Sequence, residues 1–362
     1  MKTVSLRMAV VAGVLAAPSA FATPYDTLES VAGNYNMFLL GDLGTPSSPY
    51  GADMQGAVAV GGNAYLSSVG VDTTGGGPAA LVVGGNLNQT GGTDSGNVFV
   101  GGSATLSGGA TISGSLSMTG ANGSLTSNGA SSPSAIYVTS STQVNDPAYW
   151  ATPSTSGGPA APVDSYGTAT DLLNASTSLA NAGTTTVTSS GGNITITLTQ
   201  SGLNVVNLNL PAGATINGIN IVNAAGVVPT GLVINVNGNN LNFNGWTYNL
   251  GSLSQNQVLF NFPTATAVTL SNLAFEGDIL APLAQVDFIS GQIQGNLIAG
   301  SYIGGGQINL GSGPEFTLPA YTAGSGSGTA PIPEPGSLVL IGTGLLAIAT
   351  LRRRGFFARL RT

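Results

Sequence analysis

The sequence predicts an all-β body of stacked rungs, a β-solenoid with one flanking α-helix, held between two membrane-addressing ends. Three observations predict it. A short phrase ending in Gly-Gly returns at intervals with no helix-length apolar pattern between its copies. Val, Leu and Ile recur at period two along much of the chain. All seven Lys and Arg residues lie at the termini: Lys2 and Arg7 open the chain, and Arg352, Arg353, Arg354, Arg359 and Arg361 close it.

At the start, Lys2 and Arg7 precede an apolar run from Met8 to Ala17 that Pro18 breaks. Ala20-Phe21-Ala22 then offers the small-x-small pattern that signal peptidase accepts. Residues 1–22 therefore read as a signal peptide, with cleavage between Ala22 and Thr23.

The body, 23–319, carries thirteen of the fourteen acidic residues and no Lys, Arg, His or Cys. A chain without cations has nothing to set against phosphates, so nucleic acid is excluded as a partner. Missing cysteines mean no disulfides despite an oxidising destination, which leaves burial and hydrogen-bond ladders to stabilise the fold. The same absences exclude a Ser-His-Asp triad, a cysteine nucleophile, a Schiff base, a histidine-ligated zinc and a phosphate loop.

The recurring phrase reads Val58-Ala59-Val60-Gly61-Gly62-Asn63, then Leu81-Val82-Val83-Gly84-Gly85-Asn86, then Val98-Phe99-Val100-Gly101-Gly102-Ser103. Each copy is a short strand followed by a turn that requires glycine. Leu106, Ile112, Leu116 and Leu125 continue the alternation among Ser, Thr and Gly. Near the far end Glu276-Gly277-Asp278-Ile279-Leu280-Ala281 returns 18 residues later as Gln294-Gly295-Asn296-Leu297-Ile298-Ala299. Stacking these rungs sets Glu276 and Asp278 beside Gln294 and Asn296, with Ile279 on Leu297 inside. Between them, Asn193 to Asn261 holds sixteen asparagines, a residue that forms ladders between stacked strands or simply occupies polar faces and turns.

One segment breaks the pattern. Ala169, Leu172, Leu173, Ser176, Leu179 and Ala180 fall at three-to-four spacing, which predicts an amphipathic helix over 163–182. Asp164 or Ser165 is placed to cap its start and Gly183 to end it. Such a helix covers apolar surface on the flank of the stack.

Chemistry, if any, falls to carboxylates. Glu276 and Asp278, two apart on one strand, would face one way at about 7 Å, a separation compatible with inverting glycoside hydrolysis, with Asp287 nearby. The plainer reading makes them solvated residues of an acidic exterior. No cofactor is expected, with calcium at Glu276, Asp278 and Asp287 the one candidate. Asp42 and Asp53 read as turn and cap residues. Tyr65, Tyr137, Tyr149, Trp150, Trp246 and Tyr248 are sparse enough to be core or edge aromatics rather than a sugar platform. Ice binding would call for a Thr-x-Thr array repeated on every rung, and Thr195-Ile196-Thr197 is a single copy.

Residues 320–332 form a Gly/Ser/Pro linker. Beyond it Pro333-Glu334-Pro335 precedes an apolar helix over 336–351, roughly 24 Å long and so short of the ~30 Å hydrocarbon core. Arg352-Arg353-Arg354 follow and belong on the cytoplasmic side. This order and spacing over 333–362 resembles the PEP-CTERM sorting tail of Gram-negative bacteria. The resemblance implies export, a transient inner-membrane stage, and action near Pro333, Glu334 and Pro335 by an exosortase-like membrane protease.

The body also resembles the choice-of-anchor A domain, an adhesin module of bacterial surface proteins. The resemblance rests on Asn36-Met37-Phe38-Leu39-Leu40-Gly41-Asp42, on the Val-Gly-Gly-Asn rungs, and on Leu280 to Val286 with Gly291 to Gly300. It implies a right-handed β-helix and an adhesive role, without a catalytic site. The expected function is thus a non-enzymatic adhesin or matrix protein of a biofilm or exopolysaccharide layer. Its partner is an extracellular polysaccharide or other surface ligand. A secreted glycoside hydrolase is the alternative.

Overall fold

The structure is a computed structural model that describes residues 24–75, 79–139, 142–145, 153–155, 161–162, 165–183, 185–188, 192–210, 216–314 and 318. All of them belong to the unit Met1–Tyr321. The signal peptide with Ala20, Ala22 and Thr23, the linker, the sorting tail, Tyr149 and Trp150 lie outside the described residues.

Apolar residues at alternate positions give each strand one buried side, and the repeat brings the next strand alongside in the same direction. Among the described residues every ladder between strands is accordingly parallel. The longest sheet runs, in spatial order, Ala135–Tyr137, Ser115–Met118, Val98–Val100, Leu81–Val83, Val58–Val60, Met37–Leu39, Leu297–Gly304, Asp278–Phe288, Val258–Asn261, Pro229–Asn237, Gly202–Asn209 and Thr185–Thr188. A second sheet orders Gln143–Asn145, Ser124–Asn128, Ala104–Ser107, Leu87–Asp94 and Ala64–Val71. Two three-stranded sheets complete the C-terminal half. Between the sheets lies an interior of stacked side chains such as Leu39, Val60, Val83, Val100, Leu232, Phe260, Ile279 and Leu297.

The stack does not follow chain order. Met37–Leu39 sits between Val58–Val60 and Leu297–Gly304, so the first strand is the seam where the two halves meet. Asn36 secures that seam. Its Nδ2 donates to Gly295 O at 2.9 Å and its Oδ1 accepts from Gly56 N at 3.3 Å.

The recurring phrase has a structural reason at each position. Its apolar residues pair across rungs, as Val58 with Leu81 and Leu81 with Val98. Its glycines let successive corners touch: a Cβ at Gly61 would overlap Leu40 O, one at Gly84 would overlap Gly61 O, and one at Gly101 would overlap Gly84 O. The polar residue that follows caps the next rung. Asp42 Oδ1 accepts from Asn63 N (2.6 Å), Asn63 Oδ1 from Asn86 N (2.9 Å), Asn86 Oδ1 from Ser103 N (2.8 Å), and Ser103 Oγ from Ser124 N (3.0 Å). Asp53 likewise caps, accepting from Gly70 N at 2.7 Å.

The predicted helix is present as Ser165–Ala182 (α2 below), followed by Gly183. The expectation of one helix is corrected by a second, Pro24–Asn34 (α1). It starts with proline at its first position, where the missing N–H costs nothing, and carries Asp26 in its first turn. Its buried residues are only Tyr25, Leu28 and Val31, too short a stripe to stand out among period-two strands. Both helices cover the outer side of the long sheet, in a second apolar cluster with Phe38, Val233, Leu259, Leu280 and Ile298.

Beneath α2 the asparagines form a ladder. Asn235 Nδ2 donates to Asn207 Oδ1 at 2.9 Å and to Leu179 O at 2.8 Å, and Asn261 Nδ2 donates to Asn235 Oδ1 at 2.8 Å. Asn235 is fully buried, so losing it leaves partners that water cannot reach. Asn235→Ala is expected to cost about 3 kcal/mol in urea unfolding. Asn237→Ala, which breaks the exposed Asn237–Asn209 bond, is expected to cost under about 1 kcal/mol.

Candidate functional site

Ile279 does stack on Leu297 and Glu276 does pair with Gln294. The single strand carrying Glu276 and Asp278 is corrected, however: Gly277, at φ 124°, turns a corner between them. Glu276 ends Leu273–Glu276 in one sheet and Asp278 begins Asp278–Phe288 in another. Asp278 Oδ1 accepts from Asn296 N at 2.7 Å, a capping bond like that of Asp42. It borders a recess of about 40 Å³ with Leu28, Glu29 and Leu318, room for one water and not for a sugar ring.

Burial raises the Glu276 carboxyl, whose charge acts on Tyr248 in turn. Asp287 lies farther along, at the register position between Thr269 and Ile303, and its charge acts on Tyr302. Among the described residues no group of three or more acidic side chains stands close enough to hold a metal ion. Trp246 and Tyr248 pack in the core against Phe243, Phe260 and Phe275, whereas Tyr65 is half-buried.

The second sheet has a different character. Its inward positions are mostly apolar: Ala64, Leu87, Ala104 and Leu125 in one row, Leu66 and Leu106 in the next. Its outward positions are all neutral and polar. Tyr65, Asn88, Thr105 and Thr126 lie in register as one column, extended by Asn145, and Ser67, Thr90, Ser107 and Asn128 as another. Thr90 and Ser107 hydroxyls hydrogen-bond across rungs at 3.0 Å. Strand spacing puts neighbours in a column ~4.8 Å apart and the columns ~6.6 Å apart. The result is a face roughly 19 Å long, without a charged group, offering hydroxyls and amides at a fixed repeat.

Sequence reasoning missed this face. Its residues come from rungs 17 to 23 residues apart and mix Thr, Ser, Asn and Tyr, so no motif repeats. The legible signal was x-polar-x-polar at matching offsets: Asn88 and Thr90, Thr105 and Ser107, Thr126 and Asn128.

A parallel-stranded β body that displays a long neutral face, with only a small recess beside Asp278, fits a surface-adhesive class of domain. The chain belongs to the family described as Putative Ice-binding-like adhesive domain, which matches residues 28–310. That description differs from the choice-of-anchor A domain that the residues resemble. Residues 331–354 match the PEP-CTERM protein-sorting motif, a stretch containing Pro333, Glu334, Pro335, Arg352, Arg353 and Arg354. The protein is therefore adhesin-like, exported to the cell surface or extracellular space through a transient membrane stage, and processed by an exosortase. Neither the curated proteins nor the solved structures contain a match. Among the described residues no helix is long and apolar enough to cross a membrane.

Proposed function

We propose that the body is a non-enzymatic adhesin that binds neutral, hydroxyl-rich polysaccharide of a biofilm matrix through the second sheet's outer face. The two polar columns in register carry this reading. All-parallel ladders and the 17-to-23-residue return support a β-solenoid, right-handed as the choice-of-anchor A resemblance implies. Each hydrogen bond to a sugar hydroxyl contributes only about 1 kcal/mol net, so adhesion arises from many weak contacts made together. Calcium is not needed for a face without charge, and it stays a candidate only as a bridge from exposed carboxylates to acidic polymer. Signal-peptidase cleavage at Thr23 and exosortase action near Pro333–Pro335 complete the export route. No observation favours glycoside hydrolysis at Glu276 and Asp278.

Retention of the protein on insoluble neutral polysaccharide tests the reading. Thr105→Lys puts a long, strongly hydrated cation at the centre of the face, and Thr105 is exposed, so stability should hold. Retention is expected to fall at least about tenfold, or ~1.4 kcal/mol. Undiminished retention would overturn the assignment.

A second reading is favoured by the family description and the fixed repeat of hydroxyls: the same face orders water as ice. Inhibition of ice recrystallisation that Thr105→Lys abolishes, with polysaccharide retention absent throughout, would replace the first reading with this one.

A further inference from the structure

We propose that a cleft at the seam between the two halves is a binding subsite for one neutral sugar residue, an inference that rests on polysaccharide as the body's ligand. The cleft has a volume of about 240 Å³, some eight water volumes. That is smaller than pockets for drug-sized ligands, which start near ~300 Å³, and it matches a single sugar ring.

Six separate stretches of chain line it. Asn34 comes from the end of α1, Asn36 from the seam, Asp72 and Thr74 from the turn after Ala64–Val71, and Asn256 and Asn296 from the C-terminal half. The walls are held firmly. Asn36, Asp72 and Asn296 are 2%, 3% and 8% exposed, and Asn296 Nδ2 donates to Ala32 O at 3.1 Å. Thr74 Oγ1 donates to Gln55 O at 2.8 Å.

The lining also leaves capacity for a ligand. Asn34 and Asn256 each donate through Nδ2, to Ser30 O and Gly313 O. Among the described residues nothing donates to the Oδ1 of either, which leaves two acceptors at the rim. Amides both donate and accept, as sugar hydroxyls do. The body holds no Lys or Arg to neutralise a uronate, sulfate or phosphate, and its acidic excess disfavours one. The chemistry therefore selects an uncharged sugar.

Equilibrium dialysis of the full-length protein, in a detergent without sugar headgroups, tests this with glucose, galactose, mannose, N-acetylglucosamine and glucuronate as probes. At least one neutral probe should be retained saturably at millimolar concentration, and glucuronate should not. Asn34→Trp fills the cleft from its exposed rim and Asn256→Leu removes an acceptor; each should weaken retention at least about tenfold with the melting temperature unchanged. Thr105→Lys should leave it intact. Absence of neutral-sugar retention, equal retention by both cleft variants, or retention of glucuronate as strong as that of the neutral probes would overturn the subsite. Polysaccharide adhesion surviving such a failure would leave the adhesive face standing. Loss of adhesion with the sugar result intact would instead remove the face.

Discussion

Between about pH 4 and about pH 7 the protein is expected to lose about 4 kcal/mol of stability through one side chain, Asp94. Asp94 is fully buried, pairs in register with Val71 and Ile112, and lies beneath the polar face in a mostly apolar interior. Burial pushes its carboxyl from 3.8 up to about 7. The Gln89 amide is near enough to ease the charged form, yet neither side chain closes a hydrogen bond of ordinary geometry.

In the unfolded chain the proton leaves near 3.8, whereas in the fold it stays until about 7. Within that window the folded state holds more protons, so raising the pH favours unfolding, and above it the penalty is complete. Glu276, also raised by burial, adds a change of the same sign. Asp94→Asn isolates the Asp94 part: urea unfolding should show the variant ahead of the parent by a few kcal/mol near pH 8, with the advantage gone near pH 4. A parent protein equally stable at both pH values would refute a neutral Asp94.

Gly101→Ala is expected to destabilise by about 3 kcal/mol, the upper end for overpacking. The added carbon would overlap Gly84 O and C, both backbone atoms of the adjoining rung. Neither side can yield, because Gly101 N donates to Val83 O at 2.7 Å and Gly102 N to Gly85 O at 2.8 Å. Gly305→Ala is the control: nothing lies within 4 Å of its added carbon, and its cost should stay within about 0.5 kcal/mol. Thermal unfolding of the two variants side by side decides whether the Gly-Gly phrase is a packing requirement or only a turn preference.

These two residues also show what the sequence made legible. Gly101 belongs to a phrase whose apolar triplet, glycine pair and capping Asn or Ser all repeat, so strand, corner and cap could be read together. Asp94 carries no such signal, because its burial follows from the corner at Gly91 and Gly92, which turns it inward toward Gln89. The order of the stack was hidden for a similar reason. Asn36-Met37-Phe38-Leu39 is as good a rung as Asn296-Leu297-Ile298-Ala299, and local pattern does not say that the two are neighbours across 260 residues.

The candidate site was least legible. Glu276 and Asp278 looked like partners because they are two apart, and a glycine at positive φ parts them. Thr105 and Thr126 looked like scattered polar residues, and register unites them. What a linear reading sees as period two, the fold uses as a lattice.

The most direct measurement is the salt dependence of adhesion to neutral polysaccharide. A face of hydroxyls and amides presents no charge for ions to screen, so the dissociation constant should stay constant from low to molar salt. A steep weakening as salt rises would show that the acidic groups, and not the neutral columns, make the contact.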